Sequence, residues 1–224
     1  MKCQIYALGR AGKALALSLS KIEEQPDVLF LTVPDQAIIE VAEKLAQQPV
    51  LPKIITHLSG ANSYQILDIL KNKTAIAQFH PLVALTGDKP IPEGVLCAIS
   101  SNQPWAFEIL AQLARSMNLK PIAIDPDKTV QYHAAAVITG NLSLGLVQQS
   151  ITLMQEAGID AQTGRIALSK LLKSVAENLE SKNISEALTG PIARKDLKTI
   201  QSHLEILSPE VKNTYLALVE FLLI

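Results

Sequence analysis

Between Cys3 and Ile124 short apolar runs alternate with stretches of helical periodicity, and after Asp125 the alternation stops. No other feature restricts the fold as strongly. The run at 28–33 is continuously apolar and is bounded by Asp27 and by Pro34-Asp35, the pattern of a strand covered on both faces. Further strands are predicted at 3–8, 54–58, 74–79, 95–99 and 121–124. Helices are predicted at about 12–21, 37–47, 64–70 and 105–117; in the second, Ile38, Val41, Ala42 and Leu45 share one face. Strands separated by helices imply a parallel, doubly wound sheet. Beyond Asp125 only helices are expected, at about 129–157, 160–180, 191–207 and from Pro209 to the end. Pro191 and Pro209 suit a first helical position, with Gly190 and Ser208 as N-caps. The predicted organisation is an α/β domain over 1–125 and an all-helical domain over 126–224.

The chain has 224 residues, 48% of them hydrophobic, which is enough for a substantial core and argues against disorder. Its 20 basic and 21 acidic residues give no electrostatic surface for nucleic acid or acidic lipid. Cys3 and Cys97 lie in strand-like runs and read as buried free thiols in a reducing compartment. No zinc-type spacing is present. Met1-Lys2 leads directly into a strand pattern rather than a secretion signal, so a cytoplasmic protein is expected. The stretch 129–155 carries no charge, yet it contains Gln131, His133, Asn141, Gln148, Gln149 and Gln155. A bilayer span would be more uniformly apolar; a central helix buried in a domain or a dimer fits better.

The first strand runs into Gly9-Arg10-Ala11-Gly12 and then a helix, the context a dinucleotide-binding turn requires. Ala7, Gly9 and Gly12 hold the three glycine positions, Ala7 departing from the pattern. Gly9 would admit a pyrophosphate, the helix start would supply N–H groups, and Arg10 and Lys13 add positive charge. The strand expected next, whose end reads the adenosine ribose, has no counterpart. The 28–33 strand with its "TVPD" ending follows almost at once and looks like the fourth strand of a Rossmann fold. The second and third strands are therefore expected to be missing.

Five segments carry a family resemblance: "LFLTVPDQAI" (29–38), "HLSGA" (57–61), "FHPL" (79–82), "YHAAAVITGN" (132–141) and "ALTGPIARKD" (187–196). Together they resemble the bacterial Rossmann-like proteins of unassigned function that have a helical C-terminal domain. Those proteins are similar to NADP-dependent, deazaflavin-linked oxidoreductases, and more distantly to pyrroline-carboxylate reductases and phosphogluconate-type dehydrogenases. The resemblance covers nearly everything from Asp27 onward. It implies an NADP or NAD cofactor, a small-molecule substrate and a homodimer.

Ligands of open parallel sheets bind beyond the strand carboxyl ends. Here those ends carry Pro34-Asp35, Ser59-Gly60 and His80-Pro81. Gly9, Arg10, Ala11, Gly12, Pro34, Ser59, Gly60 and His80 are accordingly the candidate cofactor-binding residues, although Ser59 could equally cap a turn and His80 could be a packed structural side chain. His133 and Asn141 lie eight residues apart on the presumed central helix, about 80° apart around its axis at ~100° per residue. They are the candidate catalytic pair. The resemblance to phosphogluconate-type enzymes would put a lysine one turn before Asn141, where this chain has Val137; an imidazole at His133 could take over its proton transfer. Thr189, Gly190 and Arg194, at a predicted helix start, are the candidates for an anionic substrate group, with pairing of Arg194 to Asp196 as the bland alternative. The reading is an NAD(P)-linked oxidoreductase acting on a small anionic metabolite. The alternative is a catalytically degenerate dehydrogenase fold that binds a ligand or a protein partner.

Overall fold

The structure, a computed structural model, describes residues 2–19 and 27–222. The predicted end of the first helix and the acidic connection after it fall in 20–26, outside the described residues. Six strands form one sheet in the order β1-β2-β3-β4-β5-β6, namely Cys3–Tyr6, Val28–Leu31, Ile54–His57, Ala75–Pro81, Leu96–Ser101 and Lys120–Ala123. All neighbouring pairs are parallel except β4 with β5, which is antiparallel. The exception follows from the connection: a parallel return needs a crossover, usually a helix, and 82–95 contains none. Among the described residues β1 pairs only with β2 and lies at the sheet edge, as expected if the strands that normally flank it are missing.

The alternation of side chains along each strand builds two cores. Val28, Phe30, Ile54 and Phe79 face α1 (Arg10–Ser18) and α3 (Pro104–Ser116), where Ala14, Leu15 and Leu110 meet them. The Phe30 and Phe79 rings pack edge to face at 5.5 Å. Leu29, Leu31, Ile55 and Ile76 face the other way, onto Ile38, Val41, Ala42 and Leu45 of α2 (Ile38–Ala46) and Leu67 and Leu70 of the 3₁₀ segment Tyr64–Leu70. With both faces covered, the near-continuous apolar composition of β2 is explained. Cys3 and Cys97 are buried free thiols, and burial pushes both up from the ordinary thiol value.

The chain divides into two compact units, Met1–Asn141 and Leu142–Ile224. Helix α4 (Thr129–Val137) therefore belongs with the sheet rather than with the helical unit. The single helix expected over 129–157 is three pieces: α4, a π-helical turn at Ile138–Leu142, and α5 (Ser143–Glu156). The helical unit continues with α6 (Ala161–Ser181), α7 (Ile184–Ala187), α8 (Gly190–Ala193), α9 (Leu197–Ile206) and α10 (Pro209–Leu222). The helix expected over 191–207 is broken, because Lys195 takes a left-handed φ of 54°. Asp196 then starts α9 as a new N-cap, accepting from the Thr199 N–H at 3.1 Å. Thr189, not Gly190, is the N-cap of α8. Helix α7, with its Asn183–Glu186 capping box, adds to the expected set. Among the described residues no helix is long and apolar enough to cross a membrane.

Candidate functional site

The turn after β1 separates two glycines by what surrounds them. A Cβ placed on Gly12 would lie 2.5 Å from the Ala7 carbonyl oxygen and 2.5 Å from Thr32 Oγ1. Gly12 is buried, and only glycine fits where α1 passes over the end of β2. The Thr32 hydroxyl donates to the Ala7 carbonyl and tightens the same corner. Gly9 is different: it is exposed, its φ of −67° suits any residue, and a Cβ there would meet nothing closer than the Thr32 carbonyl oxygen at 3.7 Å. Gly9 is also the N-cap of α1, with no side-chain capping bond and no acidic residue in the first turn. The Arg10 and Ala11 amides thus open a helix whose positive end has no side-chain cap. Ala7, the departure from the glycine pattern, adopts φ 75°, a conformation that costs a residue with a Cβ about 1–2 kcal/mol.

At the ends of β2 and β3 a polar network forms. Ser59 Oγ donates to Asp35 Oδ2 at 2.7 Å and accepts from the Asn62 amide N–H at 3.2 Å and from Asn62 Nδ2 at 2.9 Å. Ser59 thus closes a turn and fixes a carboxylate, which is the bland role allowed for it. Pro34 is exposed beside Asp35. Beneath them Gln78, buried in β4, donates from Nε2 to the Ser59 carbonyl at 2.9 Å and accepts from the Ser100 hydroxyl at 3.1 Å. His57 is fully buried; its Nδ1 accepts from the Ser59 N–H at 3.2 Å, and its Nε2–H donates to the Ser63 carbonyl at 3.1 Å. Burial pushes its pKa down to about 4, so it holds the turn as a neutral ring.

Three aromatic side chains converge above this turn. His80, near the end of β4, has Nδ1 2.8 Å from the Tyr132 hydroxyl. The His80 and His133 rings lie 6.5 Å apart, edge to face. A Cβ on Gly60 would stand 2.7 Å from His80 Nε2 and 2.8 Å from His133 Cδ2. Gly60 is the floor on which both imidazoles close. Burial, reinforced by neighbouring His133 and His57, pushes His80 down to about 4.

The structure thus brings together Ser59, Gly60, His80 and His133, and sets Gly9, Arg10, Ala11 and Gly12 at the turn after β1. Asn141 lies in the π turn and is exposed; a π turn winds by less per residue than an α-helix, which narrows the angle of about 80° expected between Asn141 and His133 on a straight helix. Thr189 and Gly190 do open a helix with Arg194 one turn in, but that helix is the four-residue α8, and Arg194 is its exposed C-cap rather than part of a long helix. Its charge helps hold the Asp196 carboxyl low, after the Thr199 hydrogen bonds that dominate. Sequence reasoning does not single out Tyr132, Asn62, Gln78 or Thr32. Tyr132 adjoins His133 in "YHAAAV", which is a signal of a kind; the others become visible only when the strand ends are placed side by side.

An α/β unit of this topology, with a glycine turn after its first strand, is a Rossmann-like domain, and residues 6–81 match the model of the Rossmann-like domain. Residues 95–221, more than half of the chain, match the model described as "Domain of unknown function (DUF2520)", and the chain belongs to that family. No curated protein matches it. Among solved structures it is similar to a protein from Thermotoga maritima, at 22% identity and TM-score 0.79, over 99% of this chain and 96% of that one. It is also similar to a candidate NADP oxidoreductase from Bacteroides fragilis, at 14% identity and TM-score 0.77, over 99% and 97%. A third similar structure is 1-pyrroline-5-carboxylate reductase from Streptococcus pyogenes, at 14% identity and TM-score 0.65, over 99% and 91%. At these identities the likeness is one of fold.

Proposed function

We propose that this chain is an NAD(P)-linked oxidoreductase acting on a small anionic metabolite. The observation that carries the reading is the contrast between the two glycines. Gly12 is required by the protein's own packing, whereas no contact among the described residues requires Gly9. A missing side chain beside an uncapped helix start leaves room for a phosphate to approach the backbone. Gly9 and the first amides of α1 would hold the pyrophosphate, with Arg10 near it. Pro34, Ser59 and Gly60 would line the path of the dinucleotide along the strand ends. A nicotinamide held there would supply or accept a hydride. His80 and His133 would contact the substrate, His133 exchanging the proton that accompanies hydride transfer. Arg194, in the helical unit, is proposed as an anion-binding residue because its guanidinium is always charged; Arg194→Ala should then weaken binding of an anionic ligand about tenfold or more. Similarity of fold to a candidate NADP oxidoreductase and to a pyrroline-carboxylate reductase supports the class.

One observation favours the second reading, a degenerate dehydrogenase fold that binds without catalysis: β1 is the edge strand among the described residues, so the adenosine side has little to hold it. Calorimetric titration with NADPH and NADH decides. The expected result is binding of both with less than a hundredfold preference, because the truncated sheet is proposed to lack a 2′-phosphate reader, a contact worth about 1.5–3 kcal/mol. A larger preference overturns the account of the truncated sheet, and no binding of either favours the second reading.

A homodimer belongs to the same proposal. Within the helical unit only Ile151 and Gly164 are buried among the described residues, while Leu144 is 64% exposed, Leu171 61% and Leu197 75%. An open groove of about 610 Å³ is lined by Leu146, Leu153, Val211, Tyr215 and Leu218. A second copy laid against these helices would bury more than roughly 2,000 Å², as obligate pairs do. A monomer in sedimentation at micromolar concentration would refute it.

A further inference from the structure

The three aromatic residues over Gly60 have unequal hydrogen bonding. His80 Nδ1 and the Tyr132 hydroxyl face one another at 2.8 Å. Either group could be the donor. If His80 donated from Nδ1, the phenol hydrogen would need another acceptor, and Tyr132 has none among the described residues. If Tyr132 donates, the phenol hydrogen and the Nδ1 lone pair are both satisfied and only one ring nitrogen is left over, and buried or half-buried polar groups are nearly always satisfied. The neutral ring must then carry its hydrogen on Nε2. That atom has no hydrogen-bond partner among the described residues and lies 2.7 Å from where a Gly60 Cβ would stand, so the absence of a side chain at Gly60 is what lets the ring sit there.

We infer that Tyr132 is a positioning residue: its phenol donates to Nδ1 of His80 and fixes the ring as the Nε2–H tautomer, which presents one N–H above Gly60 to an oxygen acceptor, such as a carbonyl, on the bound substrate. The role toward substrate rests on the oxidoreductase reading; the tautomer does not. The two imidazoles thereby divide the work. His80 is a donor that polarises the oxygen, and His133, with no hydrogen bond of its own among the described residues, is left to exchange the proton. His57 lies beneath, with both nitrogens used by the turn. The charged and titratable groups around His80 are His133 from α4, His57 from β3, Asp35 and Tyr132. Burial pushes His80 down to about 4 and Tyr132 up to about 12, so the pair stays neutral across the physiological range.

Nitrogen-15 NMR of the histidine-labelled protein, with the four rings assigned by single His→Gln substitutions, reads the tautomer directly. In the wild type the protonated-type resonance of His80 is expected on Nε2 and the pyridine-type resonance on Nδ1. Tyr132→Phe should shift a measurable fraction of His80 to the Nδ1–H form while leaving the His57 signals in place. An Nδ1–H tautomer in the wild type overturns the inference, and so does an unchanged His80 tautomer in folded Tyr132→Phe. Should Tyr132→Phe not fold, fluorotyrosine at position 132, a stronger donor, should move the His80 Nδ1 resonance further in the hydrogen-bonded direction; no movement overturns the inference. The expected tautomer without any dinucleotide binding would leave this inference standing and sink the oxidoreductase reading.

Discussion

The α/β unit and the helical unit are built from comparably apolar sequence but use it differently. In the first, Phe30, Phe79, Leu15, Ile55, Ile76 and Leu110 have no exposed surface, because a sheet offers two broad faces and helices cover both. In the second, α5 and α6 pack against one another with Gly164 under the Met154 side chain, yet Leu171, Leu172, Val175 and Leu179 remain 44–61% exposed. Helices arranged this way leave apolar stripes exposed. The difference teaches that hydrophobic content does not say whose surface an apolar residue will meet.

Substitutions of a large side chain in each unit should sharpen that contrast most. Phe79→Ala is expected to cost about 3–5 kcal/mol, independent of protein concentration. Leu171→Ala should cost little in dilute solution and more as the protein assembles. Chemical denaturation at several concentrations measures both; a Leu171→Ala cost that ignores concentration would break the comparison.

Acid should act on the α/β unit through His57. Its folded pKa of about 4 lies below the ordinary 6.5, so between these values the unfolded chain binds the extra proton. The stability contribution is complete above pH 6.5 and is lost as the pH falls from 6.5 to 4, by roughly 3 kcal/mol in all. His57→Gln should lessen the slope over that window, with His80, lowered to the same value, keeping the remainder; an unchanged slope would place the acid sensitivity elsewhere.

The two glycines of the first turn separate packing from ligand access within one unit. Gly12→Ala should cost about 1–3 kcal/mol through overpacking. Gly9→Ala should change stability by no more than about 0.5 kcal/mol while reducing dinucleotide affinity. Equal stability losses at the two positions would remove the argument for a ligand at Gly9.

The smallest effect is expected at Ala7. Relief of the φ 75° conformation by Ala7→Gly should outweigh the added entropy of the unfolded chain and stabilise by up to about 1 kcal/mol. A lowered urea midpoint would show that the corner is held without strain.

Much of this molecule is legible in its amino-acid order. The continuous apolar run at β2, the glycine turn and the end of alternation at Asp125 are local patterns, and local patterns fix element type, so the doubly wound sheet and the helical region follow from them. The reversal at β5 is also encoded, in the lack of a helix between 82 and 95, but alternation alone does not reveal it, because strand direction depends on what a connection can span. The π turn at Ile138–Leu142 and the break at Lys195 carry no strong sequence signal, and each alters the helix around a candidate residue, Asn141 and Arg194. By itself the sequence determined which segments would be strands and helices and which strand ends would carry Ser59, Gly60 and His80, because these depend on spacing along the chain. Only the tertiary structure decided that Tyr132 and His133 close over Gly60 with His80, and that Asp35 and Asn62 bind Ser59. Those meetings join residues as far apart as Gly60 and His133, and no periodicity in a chain records which of its distant groups will meet.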